Sequence, residues 1–117
     1  MISGIQSAVS GLRAFTTKIE NNAHNVANLN TDSFKKDRVV LSAQVPQGVK
    51  AAVEQVDAAG AFVAEQTGQG IEMIELSNVD LGEELPDMML NMHGFKANLK
   101  TLQTADEMMQ GLLDIKA

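Results

Sequence analysis

The sequence predicts a mainly α protein in which long N- and C-terminal helices pair as a coiled coil around a small β-rich insertion. Apolar or small residues recur at three- and four-residue steps near both ends. The middle is cut into short Val- and Ile-rich runs by glycine-containing turns. Aromatic residues are 3% of the chain, 4 Phe with no Trp or Tyr, so the bulky side chains that usually fill one compact core are scarce.

The first helix follows from Ile5, Ala8, Leu12, Phe15, Ile19, Asn22, Val26 and Leu29, a 3-4 spacing for which Ser3 is the expected cap. "LNTDSF", residues 29–34, supplies turn and stop chemistry. Inside this helical pattern lies "NNAHNVANLNT", residues 21–31, with five asparagines, although the Asn amide competes for backbone hydrogen bonds. Asn22 falls on the seam, where a buried amide fixes register at a cost in stability. The bland alternative is that the cluster only frays the helix end.

The middle, 37–76, reads as two to four short strands: "RVVLSAQV", "GVKAAVEQV" and "IEMIEL", separated by "PQG", "DAAGA" and "TGQG". Val49, Ala51 and Val53 alternate as one sheet face requires, and Val56 breaks the parity. With 1–36 before it and 77–117 after it, this insertion belongs to one structural unit.

The last helix is set by Leu85, Met88, Met92, Phe95, Leu99, Leu102, Asp106, Met109 and Leu113, with a polar residue, Asp106, on the seam. Pro86 suits a first turn, and Glu83 with Glu84 suits the positive end of the helix dipole. A second stripe runs beside it: Leu90, Gly94, Ala97, Thr101, Ala105, Met108, Leu112 and Ile115. One partner covers one seam, so this helix is shaped for additional helices. Otherwise the β unit must fold back over it. Burying each Leu or Met contributes roughly 1.5–3 kcal/mol, which makes packing between molecules the natural remedy. The six Met residues of the C-terminal half, Met73 among them, fit irregular seams of this kind.

Net charge is −6, and residues 51–90 hold nine acidic side chains with no Lys or Arg. Nucleic acid demands clustered cations and stacking aromatics, so it is not an expected partner. No cysteine is present, which removes thiol and disulfide chemistry. The start has neither a basic n-region nor a continuous apolar h-region, and no stretch approaches a membrane span, so export needs another route. His24 and His93 lack zinc-ligand spacing. Glu83, Glu84 and Asp87 read as dipole compensation rather than an acid/base pair. Gly68 and Gly70 lack a phosphate-loop context. No catalytic, cofactor or metal residues and no small-molecule substrate are expected.

Both ends resemble the terminal signatures of the bacterial flagellar axial proteins, the family of rod, hook and hook-associated subunits. The resemblance rests on "MISGIQSAVSGLRA", "NNAHNVANLNTDSFKK" and "SNVDLGEELPDMMLNMHGFKANLKTLQTADEMMQGLLDI". Asn25, Val26, Ala27, Asn28, Asn30, Thr31, Phe34 and Lys35 match the motif that ends the first helix. Ser77, Asn78, Val79, Asp80 and Leu81, with Glu84, match the one that begins the last. The resemblance implies a short, non-enzymatic basal-body rod subunit whose terminal helices pack inside a hollow helical tube. It also implies partners: copies of itself, other rod and hook subunits, and the type III export apparatus, which carries subunits without a cleaved signal. A soluble coiled-coil adaptor of flagellar assembly is the alternative. The family usually has Gly at Ser33, an apolar residue at Asn22, Asn at His24 and an aromatic hydroxyl at Phe95. A turn needing positive φ would therefore be strained at Ser33.

Overall fold

The computed structural model describes residues 1–116. Its order is α1 (Ile2–Ala27), β1 (Asp37–Ala43), β2 (Val49–Gln55), β3 (Phe62–Thr67), β4 (Gly70–Glu75) and α2 (Leu81–Lys116). The strands form two separate antiparallel hairpins, β1–β2 and β3–β4. The helices run antiparallel side by side, since Asn25 meets Glu84 near one end and Gly11 meets Asn98 further along. The molecule is a rod of 80 × 24 × 19 Å with a radius of gyration of 20.9 Å. A compact chain of this length would have about 13 Å.

Local chemistry fixes the ends of the helices. α1 begins one residue before Ser3, with Met1 as cap and no side-chain cap bond; the Ile5 N–H bonds the Met1 carbonyl at 3.1 Å. Ser3 therefore lies within the first turn instead of capping it. Asp80 caps α2, its Oδ1 accepting from Gly82 N–H at 2.8 Å. Because α2 starts at Leu81, Pro86 sits inside the helix, one turn later than the sequence suggested. Glu83 and Glu84 do occupy the first turn.

The expected coiled coil is not formed, and the chain is α and β together rather than mainly α. Where the helices meet, the buried residues are Ala8, Ala14, Asn22, Asn25, Glu84 and Asn91, small or polar groups and not interlocking apolar knobs. Leu85, Met92, Leu99, Met109 and Leu113 of the expected seam are 38–68% exposed. Close approach depends instead on glycine: the Phe15 ring lies on Gly94, and the Asn98 side chain on Gly11. A seam of small and amide-bearing residues brings backbones together without the knobs that a supercoil needs.

β1–β2 lies along α1, with Asp37, Val39, Val49 and Ala51 of one face half-buried. Gly48, at φ +109, packs on Ser10, where a Cβ would stand 2.7 Å from Oγ. Ser10 Oγ in turn accepts from Val49 N–H at 3.1 Å. Neither hairpin reaches α2, and β3–β4 touches neither helix. The second stripe of α2 is thus left bare.

Candidate functional site

Two features stand out: a polar clasp that ties the helix ends to the first strand, and the uncovered apolar flank of the helix pair. The clasp is built from the asparagine cluster. Asn25, fully buried, donates to the Asp37 carbonyl at 2.8 Å and to Glu84 Oε1 at 3.1 Å, and accepts from Asp37 N–H at 3.0 Å. One turn earlier, Asn22 donates to Glu84 Oε2 at 2.8 Å and to Asp87 Oδ2 at 3.0 Å. Its carbonyl oxygen accepts from Asn91 at 2.8 Å, and Asn91 also donates to Asp87. Asn21 adds a second donor to the Asp37 carbonyl.

Amides suit this position because each can donate and accept at once, so Glu84 is buried with both oxygens satisfied. Among the described residues no buried side-chain N or O lacks a partner. Lys18 lies 3.7 Å from Asp87, and Lys36 is 2.9 Å from Glu83. The asparagines that oppose helix propensity are therefore cross-links between α1, α2 and β1.

The remaining motif residues shape the turn and the hairpin base. Ala27 ends α1, and Asn28 is its C-cap, Nδ2 donating to the His24 carbonyl at 2.9 Å and Oδ1 accepting from Thr31. Asn30 is exposed in the turn. Phe34 stacks edge-on against His24 at 5.5 Å. Ser33 has φ +58, the left-handed region, and its N–H bonds the Glu75 carbonyl at 2.8 Å. Asn78 is a hub: its Oδ1 accepts from Lys36 N–H at 2.6 Å, and its Nδ2 donates to the Val56 and Ala58 carbonyls. Ser77 Oγ accepts from Val79 N–H, Val79 is buried and Leu81 is 37% exposed.

Lys35 pairs with Glu75 and also donates to the Ala58 carbonyl at 2.9 Å. Glu75 additionally accepts from Gly60 N–H at 2.9 Å. The bond from Lys35, then that from Gly60, holds the Glu75 carboxyl below its ordinary value.

Of the expected packing residues, Ile5, Leu12, Phe15, Ile19, Val26, Met88, Phe95 and Leu102 are half-buried along the helix pair. Asn22 is in the clasp, whereas Asp106 is exposed and accepts from Gln110. At the far end, the start of α1 and residues 97–108 of α2 enclose an open groove of about 550 Å³, lined by Ile5, Ala8, Ala97, Ala105 and Met108 among others. Beyond it α2 carries Leu112, Leu113 and Ile115, which are 58–84% exposed. Among the described residues, no three His, Cys, Asp or Glu side chains come together as a metal site.

Sequence reasoning missed Asn91, Asn21 and Glu75. Asn91 was within reach, since Glu84, Asp87 and Asn91 recur at helical spacing and form a polar stripe in α2.

Residues 72–115, the end of β4 with almost all of α2, match the family model described as flagellar basal body rod FlgEFG protein C-terminal. Over this segment the chain resembles the flagellar axial proteins. It is 43% identical over 44 residues to the flagellar hook protein FlgE of Borreliella burgdorferi, covering 38% of this chain and 10% of that protein. The FlgE of Treponema pallidum is 44% identical over 43 residues, 37% of this chain and 9% of that one. The flagellar basal-body rod protein FlgG of Bacillus subtilis is 35% identical over 69 residues, 54% of this chain and 26% of that one. The chain thus spans from about a tenth to about a quarter of the length of these axial relatives. The axial signature falls on α2, the element that carries the bare apolar flank.

Proposed function

We propose that the chain is a structural subunit of the flagellar basal-body rod or hook axis, polymerising through α1 and α2 into a hollow helical tube. It works by packing, with no turnover. Copies of itself and other rod or hook subunits are its neighbours, and the type III export apparatus delivers it. No described helix is long and apolar enough to cross a membrane.

The supporting observation is surface area. The chain exposes 8071 Å², against about 6,200 Å² for a compact monomer of its mass. The excess, about 1,900 Å², is more than twice the roughly 800 Å² that each partner buries in one standard protein interface. Much of the apolar part lies on α2, where Leu90, Met108, Leu112 and Ile115 are 52–84% exposed, whereas among the described residues the buried apolar ones are only Ala8, Ala14 and Val79. A helix pair so poor in core and so rich in bare Leu and Met is completed by further helices.

Leu99 and Leu112 test this, because both are exposed in the single chain. Leu99→Asp and Leu112→Asp should leave the monomer's unfolding free energy, measured in urea, within about 0.5 kcal/mol of wild type, yet abolish incorporation into basal bodies. Normal incorporation and motility in both variants would refute the proposal. A discrete dimer or tetramer at micromolar concentration, seen by light scattering, would favour the adaptor role instead.

A further inference from the structure

The β3–β4 hairpin touches neither helix nor the other hairpin, so both of its faces are free. Its register sets Glu65 directly opposite Glu72, on the face shared with Val63, which is 47% exposed. Such partners stand about 4.5–5.5 Å apart at Cβ, and like charges there repel. Nothing local relieves them. Residues 51–90 contain no Lys or Arg, and neither glutamate belongs to an ion pair among the described residues.

A complementary pair sits on α2. Lys96 and Lys100 are one turn apart, which sets their Cβ atoms about 5–6 Å from each other. Both are exposed, neither joins an ion pair among the described residues, and residues 88–105 contain no Asp or Glu. Leu99, 38% exposed, lies between them as an apolar counterpart to Val63. Within one chain the two patches do not meet, because β3–β4 does not reach α2.

We propose that the Glu65–Glu72 face of the hairpin docks on the Lys96–Lys100 face of α2 in a second copy of the chain. The match rests on opposite charge, equal spacing and the absence of any other partner for either pair. Two different patches make a head-to-tail contact, which propagates instead of closing as a dimer. One hairpin face is far smaller than the roughly 800 Å² per partner of a free-standing interface. The contact therefore sets register and direction between copies already brought together by their helices, and it rests on the polymer reading above.

The test is a charge-reversal cycle on the full chain, read as the concentration needed for assembly. Glu65→Lys with Glu72→Lys, and separately Lys96→Glu with Lys100→Glu, should each raise that concentration by about tenfold or more. The four substitutions together should restore it. Because the chain has no cysteine, a mixture of Glu72→Cys and Lys100→Cys should also form a mixed disulfide in preference to either homodimer. Assembly of the reversed variants at the wild-type concentration, or a combined variant no better than its parents, would overturn the contact and leave the polymer reading standing. A wild-type chain that stays monomeric at every concentration would overturn both.

Discussion

Asn25 allows the clasp to be tested in depth. It is the most buried polar residue of the chain, and replacing it with alanine removes three bonds at once. The Asp37 carbonyl keeps its bond from Asn21, so its loss is small. Asp37 N–H is left without a partner, which costs about 1–3 kcal/mol, and Glu84 loses one charge-assisted bond that contributes about 1.5–3 kcal/mol. The effects share a neighbourhood and do not add fully, so Asn25→Ala should cost about 3 kcal/mol in urea unfolding followed by far-UV circular dichroism. Asn25→Asp keeps the shape but removes the donor and sets a carboxylate against Glu84, so it should be at least as destabilising as alanine. A loss below about 1 kcal/mol in both variants, or an aspartate that behaves like wild type, would refute the view that the amide's donors hold α1, α2 and β1 together.

Other substitutions probe neighbouring contacts. Gly94→Ala would bring a Cβ within 2.8 Å of Phe15 Cε2 and should destabilise the helix pair by about 1–3 kcal/mol; in a Phe15→Ala background the sign should reverse, since Ala then only improves helix propensity, and equilibrium unfolding of the four chains decides. Ser33→Gly should stabilise by up to about 1 kcal/mol, because left-handed backbone costs a non-glycine residue about 1–2 kcal/mol and part of that is returned as unfolded-chain entropy; a lower melting temperature would contradict the strained turn. The lowered Glu75 carboxyl stabilises the hairpin base fully above the ordinary glutamate value and loses that contribution as pH falls through the folded one. The protection factor of the Gly60 amide, its exchange rate relative to the intrinsic one, should therefore fall in that acid window for wild type, and should lack that pH step in Glu75→Gln.

The helices were legible because their apolar periodicity and the turn residues 29–34 are local signals. The hairpin turns were legible for the same reason, whereas the start of α2 at Leu81, about one turn before the one expected from Pro86, was not. The coiled coil was misread because a 3-4 spacing reports which residues share a face, not how closely two faces approach. Gly11 against Asn98 and Phe15 against Gly94 decide that distance, and both are pairings between residues far apart in sequence. The strand Phe62–Thr67 carries little local signal because Ala64 and Glu65 are poor strand formers; its pairing with Gly70–Glu75 supplies what propensity lacks. In the clasp, Asn22 and Asn25 could be singled out by position, but their partners Glu84, Asp87 and Asn91 lie some sixty residues away. Glu84 read as dipole compensation because the first turn alone explained it.

The central claim is that neighbouring subunits cover the bare flank of α2. Leu90 and Leu112, 69% and 58% exposed in the single chain, can each be replaced by cysteine in a chain that otherwise has none, and the rate of maleimide labelling can be compared between dilute and assembled protein. Labelling at both positions should slow by at least about tenfold on assembly, as expected if contact with a neighbour excludes solvent. Equal rates at Leu90→Cys and Leu112→Cys in the two states would contradict the account.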